Sequence, residues 1–340
     1  MQEIHITDNE AGQRFDKLLA KYLNSAPKSF LYKMLRKKNI TLNGKKASGN
    51  EKLVIGDEVK LFLADDTIAK FSEIPKSDTL HTDIKLNIIY EDTHILLVNK
   101  PVGMLSQKAD KEDISLVEHV ISYMLDSGQL TTEDLRKFKP SVCNRLDRNT
   151  SGIVVAGKSL AGLQEMGALF KNRTIAKYYC CLVAGKMTEK QHIKGYLKKD
   201  EVHNTVKITN EESRESLPIE TEYEPLVIGE DATLLRVHLI TGRTHQIRAH
   251  LSFQGHPIIG DYKYGNRKVN EAYKKKYGLT SQLLHSWQLK MPECQGVLKN
   301  LSGQEFSAEL PAIFREIIGE DTYGNLEFQR TSGFDPGRFN

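Results

Sequence analysis

Cysteine and tryptophan are scarce in this 340-residue chain, with four Cys and one Trp. The thiols Cys143, Cys180, Cys181 and Cys294 form no Cys-x-x-Cys pair, which argues against a zinc knuckle or a redox dithiol. Cys180 and Cys181 lie inside YYCCLVA and look like small apolar strand residues; reduced thiols fit a cytoplasmic address. No apolar run approaches the ~18–20 residues that a bilayer span requires. The opening MQEIHITDNEAGQR also lacks the basic-then-apolar order of a secretion signal, so a cytoplasmic protein with no membrane partner is expected. Internal repeats and low-complexity tracts are absent.

Acidic residues are missing from one stretch in particular. Residues 28–46 hold seven bases (Lys28, Lys33, Arg36, Lys37, Lys38, Lys45, Lys46) and no Asp or Glu. Residues 1–62 carry a net charge of +5, and the remainder of the chain sums to −1. A solvated face ordinarily mixes its signs, so this density of one sign marks a candidate phosphate-binding surface.

With 39% hydrophobic side chains, the chain is long enough for two domains or a large one with a satellite. Phe15, Leu18, Leu19 and Tyr22 fall at i, i+3, i+4, i+7 and predict an amphipathic helix over 13–23. Pro27 and Ser29 open a second helix with Leu31, Met34 and Leu35 inward and Lys33, Arg36 and Lys37 outward. ITLNGKKAS predicts a hairpin turning on Asn43-Gly44, and DEVKLFL a further strand. This gives a first unit of residues 1–63, two helices followed by a hairpin. Residues 64–85 are polar and aperiodic and read as a linker. From 86 to 318 strands and helices mix irregularly, including helices near 159–171 and 244–254. An α+β domain on a mixed, mostly antiparallel sheet with flanking helices is therefore expected, beside a small N-terminal α/β unit. Residues 319–340 are expected to form a loosely held tail.

The chemistry concentrates in three stretches. In NRLDRNTSG, Asp147 stands between Arg145 and Arg148, just before the apolar run Ile153–Ala156. A carboxylate at a strand lip needs a cation within ~4–6 Å to stay charged once partly desolvated. In an extended chain only Arg145 could share its face, so the better partner is expected elsewhere. TGRTHQIRAHL offers one. Thr241 or Thr244 can cap a helix starting near His245, which puts His245 and Arg248 on one face and Ile247 and Leu251 on the buried one. His245 and His250 are five apart, the wrong spacing for a helical metal pair, and no metal is expected. The third stretch, KYYCCLVAG, alternates like a strand and begins with two tyrosines. One of them could stack on a base and offer a hydroxyl for proton transfer.

Two resemblances attach to these residues. EAGQRFDKLLAKYL, PKSFLYKMLRKKNITLNGKK and GDEV, across residues 10–62, resemble the S-four RNA-binding domain. That likeness implies that Lys33, Arg36, Lys37, Lys38, Lys45 and Lys46 lie against structured RNA. YEDTHILLVNKPVGM, NRLDRNTSGIVVAGK, KYYCCLVAG, TGRTHQIRAHL with GHPIIGDYKYG, and LLHSWQL together resemble the ribosomal large-subunit pseudouridine synthases of the RluA/RluC/RluD type, nearest the RluC-like branch. The resemblance implies Asp147 as catalytic aspartate, Tyr179 rather than Tyr178 as active-site tyrosine, and Arg248 as the arginine paired with the aspartate. It also implies Arg145, Arg243 and His245 at the RNA and Leu146 and Leu284 in the pocket. Asn144, Asn149, Cys181 and Ser286 depart from the usual His, Asp, Ala and Ala of that family.

The implied reaction detaches uracil from ribose, turns it and rejoins it through carbon 5, in large-subunit ribosomal RNA. It needs neither cofactor nor metal, and a monomer is the default expectation. Read without the family, the pattern stops at an RNA-binding α+β protein with an Asp–Arg site. A non-catalytic RNA-binding or ribosome-assembly protein and a metal-dependent hydrolase then stand as alternatives.

Overall fold

A computed structural model describes residues 1–7, 9–72, 82, 84–319 and 322. In the N-terminal unit the apolar spacing delivers its helices: α1 (Phe15–Tyr22) follows β1 (Gln2–His5), and α2 (Lys28–Arg36) starts after Pro27. Phe15, Leu18 and Leu19 are fully buried and Tyr22 almost so. Burial of a large apolar side chain contributes roughly 1.5–3 kcal/mol. Strands β2 (Ile40–Leu42) and β3 (Lys45–Lys46) form the hairpin, with Asn43 at φ 51° and Gly44 at φ 69°, as a two-residue turn of this hand requires. Next comes β4 (Glu58–Leu61), which pairs with both β2 and β1 and gives a four-stranded sheet of order β1-β4-β2-β3. The first strand is thus an addition to the two-helix, one-hairpin expectation.

The linker expectation needs correction. Its beginning is a helix, α3 (Asp65–Phe71), anchored by Ile68, which joins the apolar core of the N-terminal unit. Phe71 packs on the same core and against the Phe30 ring, and two apolar anchors in a polar segment are too few to show a sustained period. Residues 73–81 and 83 of that span, and all of 319–340 except Gly319 and Thr322, lie outside the described residues.

The larger domain begins with β5 (Ile88–Glu91), β6 (Ile95–Lys100), α4 (Leu116–Asp126), β7 (Ser141–Val142) and β8 (Ser151–Gly157). It continues with α5 (Leu160–Asn172), β9 (Ala176–Ala184), β10 (Gln191–Asp200), β11 (Thr205–Thr209), β12 (Ser216–Ile228) and β13 (Ala232–Leu239). Last come α6 (Gln246–Phe253), α7 (Arg267–Tyr277), β14 (Leu284–Lys290), β15 (Glu305–Ser307) and α8 (Ala312–Ile318). The strands make one sheet of order β11-β10-β12-β13-β9-β14-β8-β6-β5, with β7 and β15 paired to β8 and β14. The β8–β14 pair is parallel and the other described pairs are antiparallel, so the sheet is mixed and mostly antiparallel as expected.

Alternation along β9 sorts the two faces. Tyr179, Cys181 and Val183 point into a core shared with α4 and α6, while Cys180 and Leu182 face a second cluster with Trp287 and Phe314. One row crosses three strands: Gly152 on β8 is level with Ser286 on β14, and Ser286 with Tyr179 on β9. Gly152 has φ 107°, and a Cβ there would fall 2.1 Å from the Ser286 carbonyl oxygen, so only glycine fits the seam. The two units meet at Arg136, whose guanidinium lies 3.9 Å from the centre of the Tyr22 ring and donates to Ser72 Oγ at 3.0 Å.

Candidate active site

Asp147 lies in the loop between β7 and β8, and that loop is held through its backbone. Ser106 Oγ accepts from Leu146 N–H at 3.0 Å and donates to Leu146 C=O at 2.9 Å. Asn144 substitutes for a strand partner: its Oδ1 accepts from Val155 N–H at 2.8 Å, and its Nδ2 donates to Ile153 C=O at 3.2 Å. Beneath the loop, the fully buried Lys100 ammonium donates to the carbonyls of Pro101, Met104 and Arg148. Burial pulls its pKa down to about 8, against the charge of Asp147, so it still carries its proton at neutral pH.

Arg248 on α6 meets Asp147 from 101 residues away, Nη1 donating to Oδ2 at 2.8 Å. The rest of the guanidinium fork is occupied by Asp261, with Nε on Oδ2 at 2.7 Å and Nη2 on Oδ1 at 2.9 Å. Asp261 accepts two further hydrogen bonds, from the backbone N–H groups of Lys263 and Tyr264. Burial opposes its ionisation. The Arg248 hydrogen bonds and charge, together with those two N–H groups, outweigh burial and hold the carboxyl below its ordinary range. For Arg248 too, burial works against charge and is overcome, first by Asp261 and then by Asp147. The two carboxylates differ in access: the Asp147 side chain is 28% exposed and that of Asp261 is 0% exposed. One is open to an incoming molecule, and the other is a fixed support.

Tyr179 completes the group. Burial pushes its phenol up to about 12, a Ser286 hydrogen bond pulls the other way, and the Asp147 charge adds to the rise. Leu146 and Leu284 are buried in the same apolar cluster as Tyr179, so both predicted pocket residues do come together with it. His245 also faces the carboxylate, its Nε2 3.7 Å from Asp147 Oδ2.

Other expectations are revised. Neither Thr241 nor Thr244 caps α6; the N-cap is His245 itself, in a left-handed conformation. The turn is organised instead by Gln246, whose Oε1 accepts from Arg243 N–H and Thr241 O–H. Arg145 is exposed and makes no ion pair with Asp147 among the described residues, and Arg243 is half-buried. The six predicted RNA-facing bases, Lys33, Arg36, Lys37, Lys38, Lys45 and Lys46, are all exposed, and none is in an ion pair among the described residues. Asp261, Tyr264 and Lys100 fall within stretches that resemble the family but take no role from that resemblance, and Ser106 lies outside them. The apolar run Pro257–Gly260, which carries Asp261 inward, is the available signal for the first of them.

A family profile described as RNA pseudouridylate synthase matches residues 94–253. Over 294 residues the chain is 32% identical to the ribosomal large subunit pseudouridine synthase C of Vibrio cholerae, covering 84% of this chain and 87% of that one. The protein of the same name from Escherichia coli is 32% identical over 298 residues, with coverage of 84% and 87%. An uncharacterised RNA pseudouridine synthase of Mycoplasma genitalium is 33% identical over 323 residues, covering 90% and 95%. Among solved structures, human RNA pseudouridylate synthase domain containing 4 superposes with a TM-score of 0.54 at 23% identity, covering 67% of this chain and 90% of that one, a likeness of fold. The chain belongs to the RNA pseudouridine synthase family. It is accordingly an isomerase.

Proposed function

We propose that this protein converts uridine to pseudouridine in large-subunit ribosomal RNA, with Asp147 as the group that opens the glycosidic bond. The carrying observation is the partly exposed Asp147 carboxylate held at 2.8 Å by Arg248, beside the buried Tyr179 phenol. In the isomerisation the bond from the ribose anomeric carbon to N1 breaks and one to C5 forms; C5 loses a proton and N1 gains one. No electrons are exchanged with any other molecule. Asp147 can open the bond by attack at the anomeric carbon or through a glycal. A phenol raised to about 12 keeps its proton at neutral pH, so Tyr179 can lie against the uracil and donate a hydrogen bond.

A paired base cannot turn inside a helix, so the nucleotide is extruded, at a cost of a few kcal/mol. The N-terminal unit offsets that cost as an S-four-type module, with Lys33, Arg36, Lys37, Lys38, Lys45 and Lys46 on backbone phosphates. Arg145 and Arg243 flank the site and are assigned to the target strand.

The support for the ribosomal substrate is the set of relatives that bear its name. The test is tritium release from ribosomal RNA transcripts labelled at uridine C5. Asp147→Ala is expected to lower the rate on the order of 10⁴-fold or more while RNA affinity holds. Undiminished release would overturn the assignment and favour an RNA-binding protein on the same fold.

A further inference from the structure

His245 is held in a conformation that a residue with a Cβ seldom adopts, φ 53° and ψ 16°, at the N-cap of α6. Its ring does not cap the helix, and the turn before it needs no help from the imidazole. Gln246 closes that turn through Arg243 N–H and Thr241, and reaches Glu220 C=O and Thr221 with its amide nitrogen. The ring instead lies between two polar groups of the active site. Its Nδ1 is 2.9 Å from the Tyr264 hydroxyl and its Nε2 3.7 Å from Asp147 Oδ2.

The hydroxyl is a partner for Nδ1. Tyr264 Oη already accepts from Val206 N–H on β11 at 2.9 Å, and no acceptor other than His245 Nδ1 is found for its hydrogen among the described residues. With the hydroxyl donating to Nδ1, the proton of the neutral ring stands on Nε2, toward Asp147. Burial, with the charges of Arg248 and Lys263, lowers the pKa of the ring against the pull of Asp147 and Asp261, in keeping with a neutral imidazole.

Arg248 approaches the same oxygen, Oδ2, while Oδ1 of Asp147 receives no hydrogen bond among the described residues. We propose that His245, oriented by Tyr264, is a positioning residue for Asp147. Together with Arg248 it confines Oδ2 from two sides, which fixes the rotation of the carboxylate and presents Oδ1 to the ribose. This rests on the reading of Asp147 as the reacting group, and it reassigns His245 from an RNA contact to the aspartate.

The test uses the full-length protein and a ribosomal RNA transcript, with the single-turnover rate at saturating RNA, the RNA Kd and the unfolding midpoint measured for each variant. His245→Ala should lower the rate roughly 10- to 100-fold, the order found when a group that orients a ligand is removed, with Kd unchanged. His245→Gln, whose amide nitrogen can still donate toward Oδ2, should recover much of the loss. Tyr264→Phe keeps the ring beside Arg248 but frees the imidazole; it should slow the rate, and it should add nothing further in the His245→Ala background. A raised Kd with an unchanged rate would make His245 a phosphate contact and overturn the proposal. So would additive effects of the two changes, or failure of His245→Gln to exceed His245→Ala. Should His245→Ala fail to fold, His245→Gln and Tyr264→Phe decide through the same rate and Kd measurements. Asp147→Ala serves as the control: activity surviving there would remove the underlying reading, whatever the His245 variants do.

Discussion

The two regions of this protein use positive charge in opposite ways. On α2, just past its end and on β3, six bases stand in solvent with no ion pair among the described residues. In the larger domain, one arginine is almost wholly buried and spends its entire fork on two carboxylates. Exposed charges act at a distance, fall off over ~8–10 Å at ordinary salt and tolerate any orientation. A buried guanidinium acts at contact and in fixed directions. The first arrangement suits contact with a polyanion, and the second suits holding a carboxylate in one direction.

The comparison can be broken most severely at Asp261. Asp261→Ala strands the buried Arg248 with Asp147 alone, and loss of one partner of a buried pair costs about 3–5 kcal/mol. Chemical denaturation should show that loss, and activity should fall with it. If stability is unchanged, the guanidinium is not held from behind. Next in size, Arg248→Lys keeps the charge and loses the fork, so isomerisation should drop about 10²-fold, measured by tritium release at saturating RNA. Lys37→Arg, just past the end of α2, should leave the same assay untouched.

A third prediction concerns pH. His250 is buried against Thr221 and the edge of the Tyr223 ring, and burial pulls its pKa down to about 4 from 6.5. The unfolded chain therefore binds the proton more readily between those values, and stability falls as pH drops from about 6.5 to about 4. Above 6.5 this group contributes no slope. The loss amounts to up to about 3 kcal/mol. Denaturation midpoints across that range should flatten in His250→Gln, and an unchanged slope would exclude this histidine as the source. The smallest effect belongs to the exposed bases. Replacing Lys37, Lys38 and Lys45 with Glu should weaken RNA binding and flatten log Kd against log salt by roughly 0.7–0.9 for each phosphate that is no longer neutralised. An unaltered slope would place the RNA elsewhere.

Sequence reveals most where the physics is local. Phe15, Leu18, Leu19 and Tyr22 announce α1 because helical period and burial coincide, and Asn43-Gly44 announces its turn because few other residues accept that backbone. Asp147, Tyr179 and Arg248 stand out through motifs, and the expectation of a distant arginine for Asp147 agrees with the 2.8 Å contact. Expectation fails where a long-range partner decides the outcome. A threonine cap on α6 is locally reasonable, but Gln246, tied to Glu220 and Thr221 on β12, organises that turn and leaves His245 free to face Asp147. Asn144 looks like a departure ahead of the aspartate. In the fold it completes the hydrogen bonding of β8, a role visible only once Ile153 and Val155 lie beside it. Asp261 sits in a stretch that resembles the family, yet its role as a support appears only where the arginine reaches it.

The glycine seam has one further meaning. Since nothing larger than hydrogen fits between Gly152 and the Ser286 carbonyl, the spacing of these strands has no slack. Tyr179 occupies the neighbouring strand at that level, and Asp147 lies five residues upstream of the glycine. The level of Tyr179 relative to the strand that follows the Asp147 loop is therefore gauged by main chain, and exchanging side chains on either strand leaves that register in place.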